Sequence, residues 1–134
     1  MMFYSFSDEF VQQLVEILKR ENPTGDYRVS RSLSGNLMIE ESEEGSQLLY
    51  LRPFPKDTLT IAQIKTLKTR SGIGQAIFGC LEDYAKQQNC TQLVIEQVMT
   101  PEMIRFAEKE SFVWDESSGM FFEGMKLGNY VKKI

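Results

Sequence analysis

Apolar residues recur at helical spacing over Phe10, Leu14, Ile17 and Leu18, with Val11 and Val15 widening the stripe, and predict an amphipathic helix. Ser7 stands at the N-cap position, Asp8 and Glu9 fall in the first turn, and Lys19 and Arg20 lie at the other end. Each suits the helix dipole. Asn22-Pro23-Thr24-Gly25 then stops the helix. After it the period changes from 3.6 to two. Residues 27–33, 37–42 and 47–52 read as strands of a meander, separated by the turn residues Ser34-Gly35-Asn36 and Glu43-Glu44-Gly45-Ser46. In the third strand Leu48, Tyr50 and Arg52 share one face, and Leu49 and Leu51 the other. Pro53 and Pro55 end the pairing, because proline cannot donate to a ladder.

The next stretch carries the strongest pattern. Residues 58–66 form a fourth strand, with Leu59, Ile61, Gln63 and Lys65 on one face and Thr60, Ala62, Ile64 and Thr66 on the other. Lys68-Thr69-Arg70-Ser71-Gly72-Ile73-Gly74-Gln75 comes after it, and then a helical stripe of Ile73, Ile77, Leu81 and Tyr84 running to residue 88, with Asn89 as C-cap. Gly79 sits inside this helix, which close approach to a sheet would explain. Leu93-Val94-Ile95 is a continuous apolar run, as in a strand covered on both sides. Strand, glycine turn, helix and strand make a βαβ unit. Thr100 and Pro101 are placed as N-cap and N1 of a short helix through Glu108. Residues 112–114 and 120–127 predict a closing hairpin around residues 115–119, with residues 130–134 on the surface.

The three helix starts differ. Two carry carboxylates, Asp8 and Glu9 in one and Glu102 in the other. The βαβ helix has none from Leu67 to Leu81, while Lys68 and Arg70 precede it. The free N–H groups and positive dipole end of such a start attract an anion. Gly72 and Gly74 allow close backbone approach or a positive φ. A P-loop would need Lys and Ser or Thr after the glycines, where Gln75 and Ala76 stand; a dinucleotide fingerprint would need glycine at Ile77. A plain tight turn is the alternative.

Composition narrows the chemistry. The 134 residues suit one domain, here taken as 1–134, with a net charge of −4. An acidic chain argues against nucleic acid as a partner. The absence of histidine excludes imidazole bases, Ser-His-Asp triads and His-bound zinc, and no metal is expected. Cys80 and Cys90 fit no disulfide framework, and no run approaches the apolar length of a membrane span. The expected setting is cytoplasmic, away from the membrane. Glu40, Glu41, Glu43 and Glu44 form an acidic cluster, either a solvated turn or a lure for a basic substrate.

The order of elements resembles the GNAT superfamily of acyl-CoA-dependent N-acyltransferases, most clearly from Leu59 to Phe112. Gly72-Ile73-Gly74 is similar to the glycines of that family's Arg/Gln-x-x-Gly-x-Gly/Ala loop. Residues 104–112 resemble its run ending Phe-Tyr-Glu-Lys-x-Gly-Phe. The resemblance implies an α+β fold with a mixed central sheet, an antiparallel meander plus the βαβ unit, flanked by helices. It implies acetyl-CoA or another acyl-CoA as cofactor. The amides of Arg70, Ser71, Gly72, Ile73, Gly74 and Gln75 would hold the pyrophosphate. The strand before the loop, splayed from the next, would run Ile64, Lys65 and Thr66 along the pantetheine. The implied reaction is acetyl or acyl transfer to a small-molecule or protein amine, with a homodimer allowed. Five positions depart from the pattern. Thr69 takes the Arg/Gln place, Ala107 the place of a thiolate-protonating tyrosine, Ser111 that of a glycine, and Gln63 and Lys65 stand where a catalytic glutamate is common. Glu96, at the end of the buried strand, is the candidate base. The rival reading is a GNAT-like binding or regulatory module without turnover; a scaffold binding no coenzyme is the third.

Overall fold

A computed structural model describes residues 4–66 and 72–134. Helix α1 (Asp8–Leu18) begins where Ser7 Oγ accepts the Phe10 N–H at 3.1 Å. The meander comes next as β1 (Tyr27–Arg31), β2 (Leu37–Glu41) and β3 (Leu48–Arg52). Then come β4 (Thr58–Lys65), α2 (Ile73–Gln87) and β5 (Gln92–Val98). Helix α3 (Pro101–Lys109) starts at Thr100, whose Oγ1 accepts the Met103 N–H at 3.2 Å. The chain closes with β6 (Val113–Trp114), β7 (Met120–Phe122) and β8 (Met125–Lys133). The strand order is β1-β2-β3-β4-β5-β8-β6, with β7 paired to β8 off that path. Only β4 and β5 run parallel, joined through α2. This is the mixed α+β sheet that the sequence predicts.

Residues paired across a ladder share a face, so the register writes out the two sides of the sheet. One row runs Leu37, Leu51, Ile61, Ile95, Tyr130 and Trp114. The first five are at most 3% exposed, and they join one core with Phe10, Leu14 and Leu18 of α1 and Ile77 and Leu81 of α2. Phe78 of α2 meets Phe106 of α3 edge-on, with ring centroids 4.8 Å apart, and Ala107 belongs to the same core. Burying each such Leu or Ile stabilises the fold by about 1.5–3 kcal/mol. The opposite row runs Arg52, Thr60, Val94, Val131 and Val113. Of these, only Thr60 is buried, its hydroxyl donating to the Phe54 carbonyl at 2.7 Å. The helices therefore cover one face, and the other stays largely open.

Three expectations need correction. Residues 120–127 are not one arm of a hairpin with 112–114. Glu123 and Gly124 have φ of +49° and +80° and fold this stretch on itself, pairing β7 with the start of β8. Residues 130–134 are not a surface tail, because β8 lies between β5 and β6 and Tyr130 is 1% exposed. Lysines made this strand read as polar, yet Lys132 meets Glu82 of α2 at 2.7 Å. Gly79 does not approach the sheet. It faces outward on α2, and an added Cβ would meet nothing within 4 Å.

Candidate functional site

The ladder between β4 and β5 pairs Thr58 with Gln92 through Ile61 with Ile95, and then stops, although both strands continue. Each strand bulges directly beyond that last pair. Against β3, Tyr50 pairs with Gln63 but Leu51 pairs with Ile61, so Ala62 is the extra residue in β4. Against β8, Ile95 pairs with Tyr130 and Val98 with Gly128, so Glu96 and Gln97 together face Asn129. Gln97 has φ of +53°, and its N–H donates to Asn129 Oδ1 at 3.1 Å. A bulge bends and twists its strand. Two of them on the outer sides of neighbouring strands let these part. The extra residue in β4 also moves the residues beyond it to the other face. Ile64 pairs with Leu49 and joins the Leu59 and Ile61 side, while Gln63 lies opposite it with Tyr50. Strict alternation had placed Ile64 with Thr60.

The start of α2 lies beside this divergence. Gly72 is its N-cap at φ +85°, with no side-chain cap and no acid in the first turn. A residue with Cβ is strained there. A Cβ on Gly72 would meet nothing within 4 Å, so the outer side of the turn is open. Gly74 serves differently: its Cβ would come within 3.2 Å of the Phe106 ring, so packing against α3 accounts for that glycine. Ile73 and Ile64 turn their side chains toward the core, whereas Gln75 and Lys65 are exposed and Thr66 is half-buried. Arg70, Ser71 and Lys68 lie outside the described residues.

Glu96 closes the apex of the divergence on the open face. Its Oε1 accepts from Arg52 Nη1 at 2.5 Å, an ion pair that reaches from β3 across β4 to β5. The Arg52 guanidinium also lies 5.4 Å from the Tyr50 ring centroid, and the Tyr50 hydroxyl accepts from Asn36 Nδ2 at 3.1 Å. No spacing in the sequence pointed to the Arg52–Glu96 pair, whose members stand 44 residues apart. Tyr84 of α2 serves the start of α1. Its hydroxyl donates to the Ser5 carbonyl and accepts the Ser7 N–H, and its ring stacks on Phe10. Ala107 is fully buried in the core and carries no group that could donate a proton. In the acidic cluster, the Glu44 and Glu43 amides bind the Glu41 carboxylate and hold its pKa below the ordinary range, and Glu40 lies 3.6 Å from Arg28. Those two acids secure a turn and a strand. A concavity of about 950 Å³, lined by Glu108, Trp114 and Lys126 among others, shares no described residue with the divergence.

The chemistry these parts allow is specific. An extended ligand can add its backbone-like groups to the side of β4 that faces β5, with an anion at the α2 start and its far end beside Glu96. Among the described residues, no helix is long and apolar enough to cross a membrane.

No family model matches the chain, and no curated protein does. Solved structures do. A protein from Agrobacterium tumefaciens considered an acetyltransferase superposes with a TM-score of 0.58 at 17% identity, covering 100% of this chain and 98% of its own. Ard1 from Thermoplasma volcanium gives 0.55 at 14% identity, over 99% and 97% of the two chains. A GNAT family acetyltransferase from Elizabethkingia anophelis, solved with acetyl-CoA bound, gives 0.52 at 14%, over 96% and 84%. At such identities the likeness concerns architecture. The chain has the fold of the GNAT acetyltransferases.

Proposed function

We propose that this chain binds an acyl-CoA in the divergence of β4 and β5 and transfers its acyl group to an amine. The observation that carries the reading is that divergence, set beside an acid-free helix start in a GNAT fold. The residues fit the group. The amides from Gly72 to Gln75, with Arg70 and Ser71, would hold the pyrophosphate, and the backbone of residues 64–66 would lie along the pantetheine. The bound thioester supplies the activated acyl carbon. The chain's part is to align an amine with that carbon and to manage its proton. Glu96 stands at the apex and takes the ammonium proton, directly or through water. In the net reaction an amide C–N bond forms and the thioester C–S bond breaks; of the two protons the ammonium loses, one leaves through Glu96 to solvent and the other ends on the released thiol.

A second reading, a GNAT-shaped module that binds coenzyme without turnover, draws support from Ala107. It is buried in the core where the family often places its tyrosine acid. Two measurements separate the readings. Acetyl-CoA at about 100 times its dissociation constant should stabilise the protein by roughly 2.7 kcal/mol, a rise in Tm of a few degrees. No rise with millimolar acetyl-CoA or CoA would sink both. A rise without thiol release across a panel of amines would leave the binding module. Gly72→Asp, which puts a carboxylate at the α2 start, should remove the rise; binding retained in that variant would refute the site's placement.

A further inference from the structure

The open face of the sheet carries the Arg52–Glu96 pair at the point where β4 and β5 part. An ion pair with side chains about 30% exposed adds little to stability, and this one is incompletely used. One guanidinium nitrogen meets one carboxylate oxygen. Among the described residues, Arg52 Nη2 and Nε and Glu96 Oε2 have no further partner. A positive edge and a negative edge therefore stand side by side. Both are held in place. Arg52 lies over the Tyr50 ring, Tyr50 is bonded to Asn36, and the bulge just after Glu96 keeps Gln97 at a positive φ. Backbone strain of that kind persists only where the surroundings enforce it.

We infer that Arg52 and Glu96 are the acceptor subsite and that the acceptor is an α-amino acid, with Arg52 binding its carboxylate and Glu96 its ammonium. The inference rests on the acyl-transfer reading and names the substrate class of that same site. A simple amine would need only the carboxylate of Glu96, and a protein N-terminus has no carboxylate beside its amine. A zwitterion uses both edges at once, and arginine's fork matches a carboxylate in a way that a lysine does not. Approach is from the open face, opposite the helices, so the acceptor and the α2 start do not compete for space. Met38 and Val94, both half-buried on that face, leave apolar surface for the amino acid's side chain.

The test compares leucine with isopentylamine and phenylalanine with phenethylamine in thiol release from acetyl-CoA. Each amino acid should exceed its decarboxylated partner by at least about 10-fold in kcat/KM, as expected where a site's polar groups are left unpaired by the lesser substrate. Arg52→Gln should collapse that ratio, chiefly by raising KM for the amino acid. The reversed pair, Arg52→Glu with Glu96→Arg, keeps an ion pair for folding and should lose transfer to the amino acid. Equal rates for both members of each pair, or a ratio unmoved in Arg52→Gln, would overturn the inference. Amide NMR shifts of Tyr50, Arg52 and Glu96 with leucine separate the two layers. Shifts lost in Arg52→Gln, without turnover, keep the recognition and discard transfer. Absence of both shifts and turnover discards the recognition, and the acetyl-CoA Tm shift then reports on the coenzyme alone.

Discussion

Helices α1 and α2 begin in opposite ways. At α1, Ser7 Oγ takes the Phe10 amide, Asp8 and Glu9 face the dipole, and the Tyr84 hydroxyl binds the Ser7 amide. At α2, a left-handed glycine holds the N-cap without a side-chain cap or an acid in the first turn. The first start satisfies itself, and the second, in the function proposed above, would receive an external anion. The difference teaches that a helix end is a choice between stability and recognition, because the same orphan amides can serve only one.

That contrast can be broken by degrees. Phe10→Ala should cost the most, about 3–5 kcal/mol, since it removes a ring 1% exposed and stacked on Tyr84 at 3.9 Å. Urea titration would read the loss, and a cost below about 1 kcal/mol would mean that α1 is not anchored there. Tyr84→Phe keeps the stack and deletes the hydroxyl, leaving the Ser7 amide without its partner. About 1–3 kcal/mol should go, seen as a lower urea midpoint at unchanged slope. Ser7→Ala should cost about 1 kcal/mol in the same titration. None of the three should move acetyl-CoA affinity, whereas Gly72→Asp should destroy it; a loss of affinity in Ser7→Ala would erase the distinction between the two starts.

Much of the fold was legible because its signals are local. Ser7 and Thr100-Pro101 announce helix starts through chemistry within three residues, and the ends of β1 to β4 fall within two residues of those the alternation predicts. Asn89, expected to cap α2, sits just past its end at φ +63°, the left-handed conformation that asparagine tolerates. The failures were non-local. Ala62 became a bulge because of how β3 pairs with β4, and nothing near Ala62 in sequence marks it. The position of β8 depends on β5, β6 and α2 together, and its lysines concealed it. At the candidate site, Gly72 was legible from its type and the missing acids. Gly74 was visible as a glycine, but its reason is the ring of Phe106, 32 positions away in the chain. The Arg52–Glu96 pair exists only once three strands are in register.

The Tyr84 hydroxyl has a consequence for folding. It ties Ser5 and Ser7 to a residue 79 and 77 positions further along the chain. A helix of 11 residues is marginal alone in water. Part of its fastening cannot form until α2 has been made and docked, so α1 consolidates through a distant contact rather than a neighbouring one. The first amide of a helix ordinarily exchanges with solvent as the end frays. The Ser7 amide should instead exchange slowly in deuterium, released only when α1 and α2 separate.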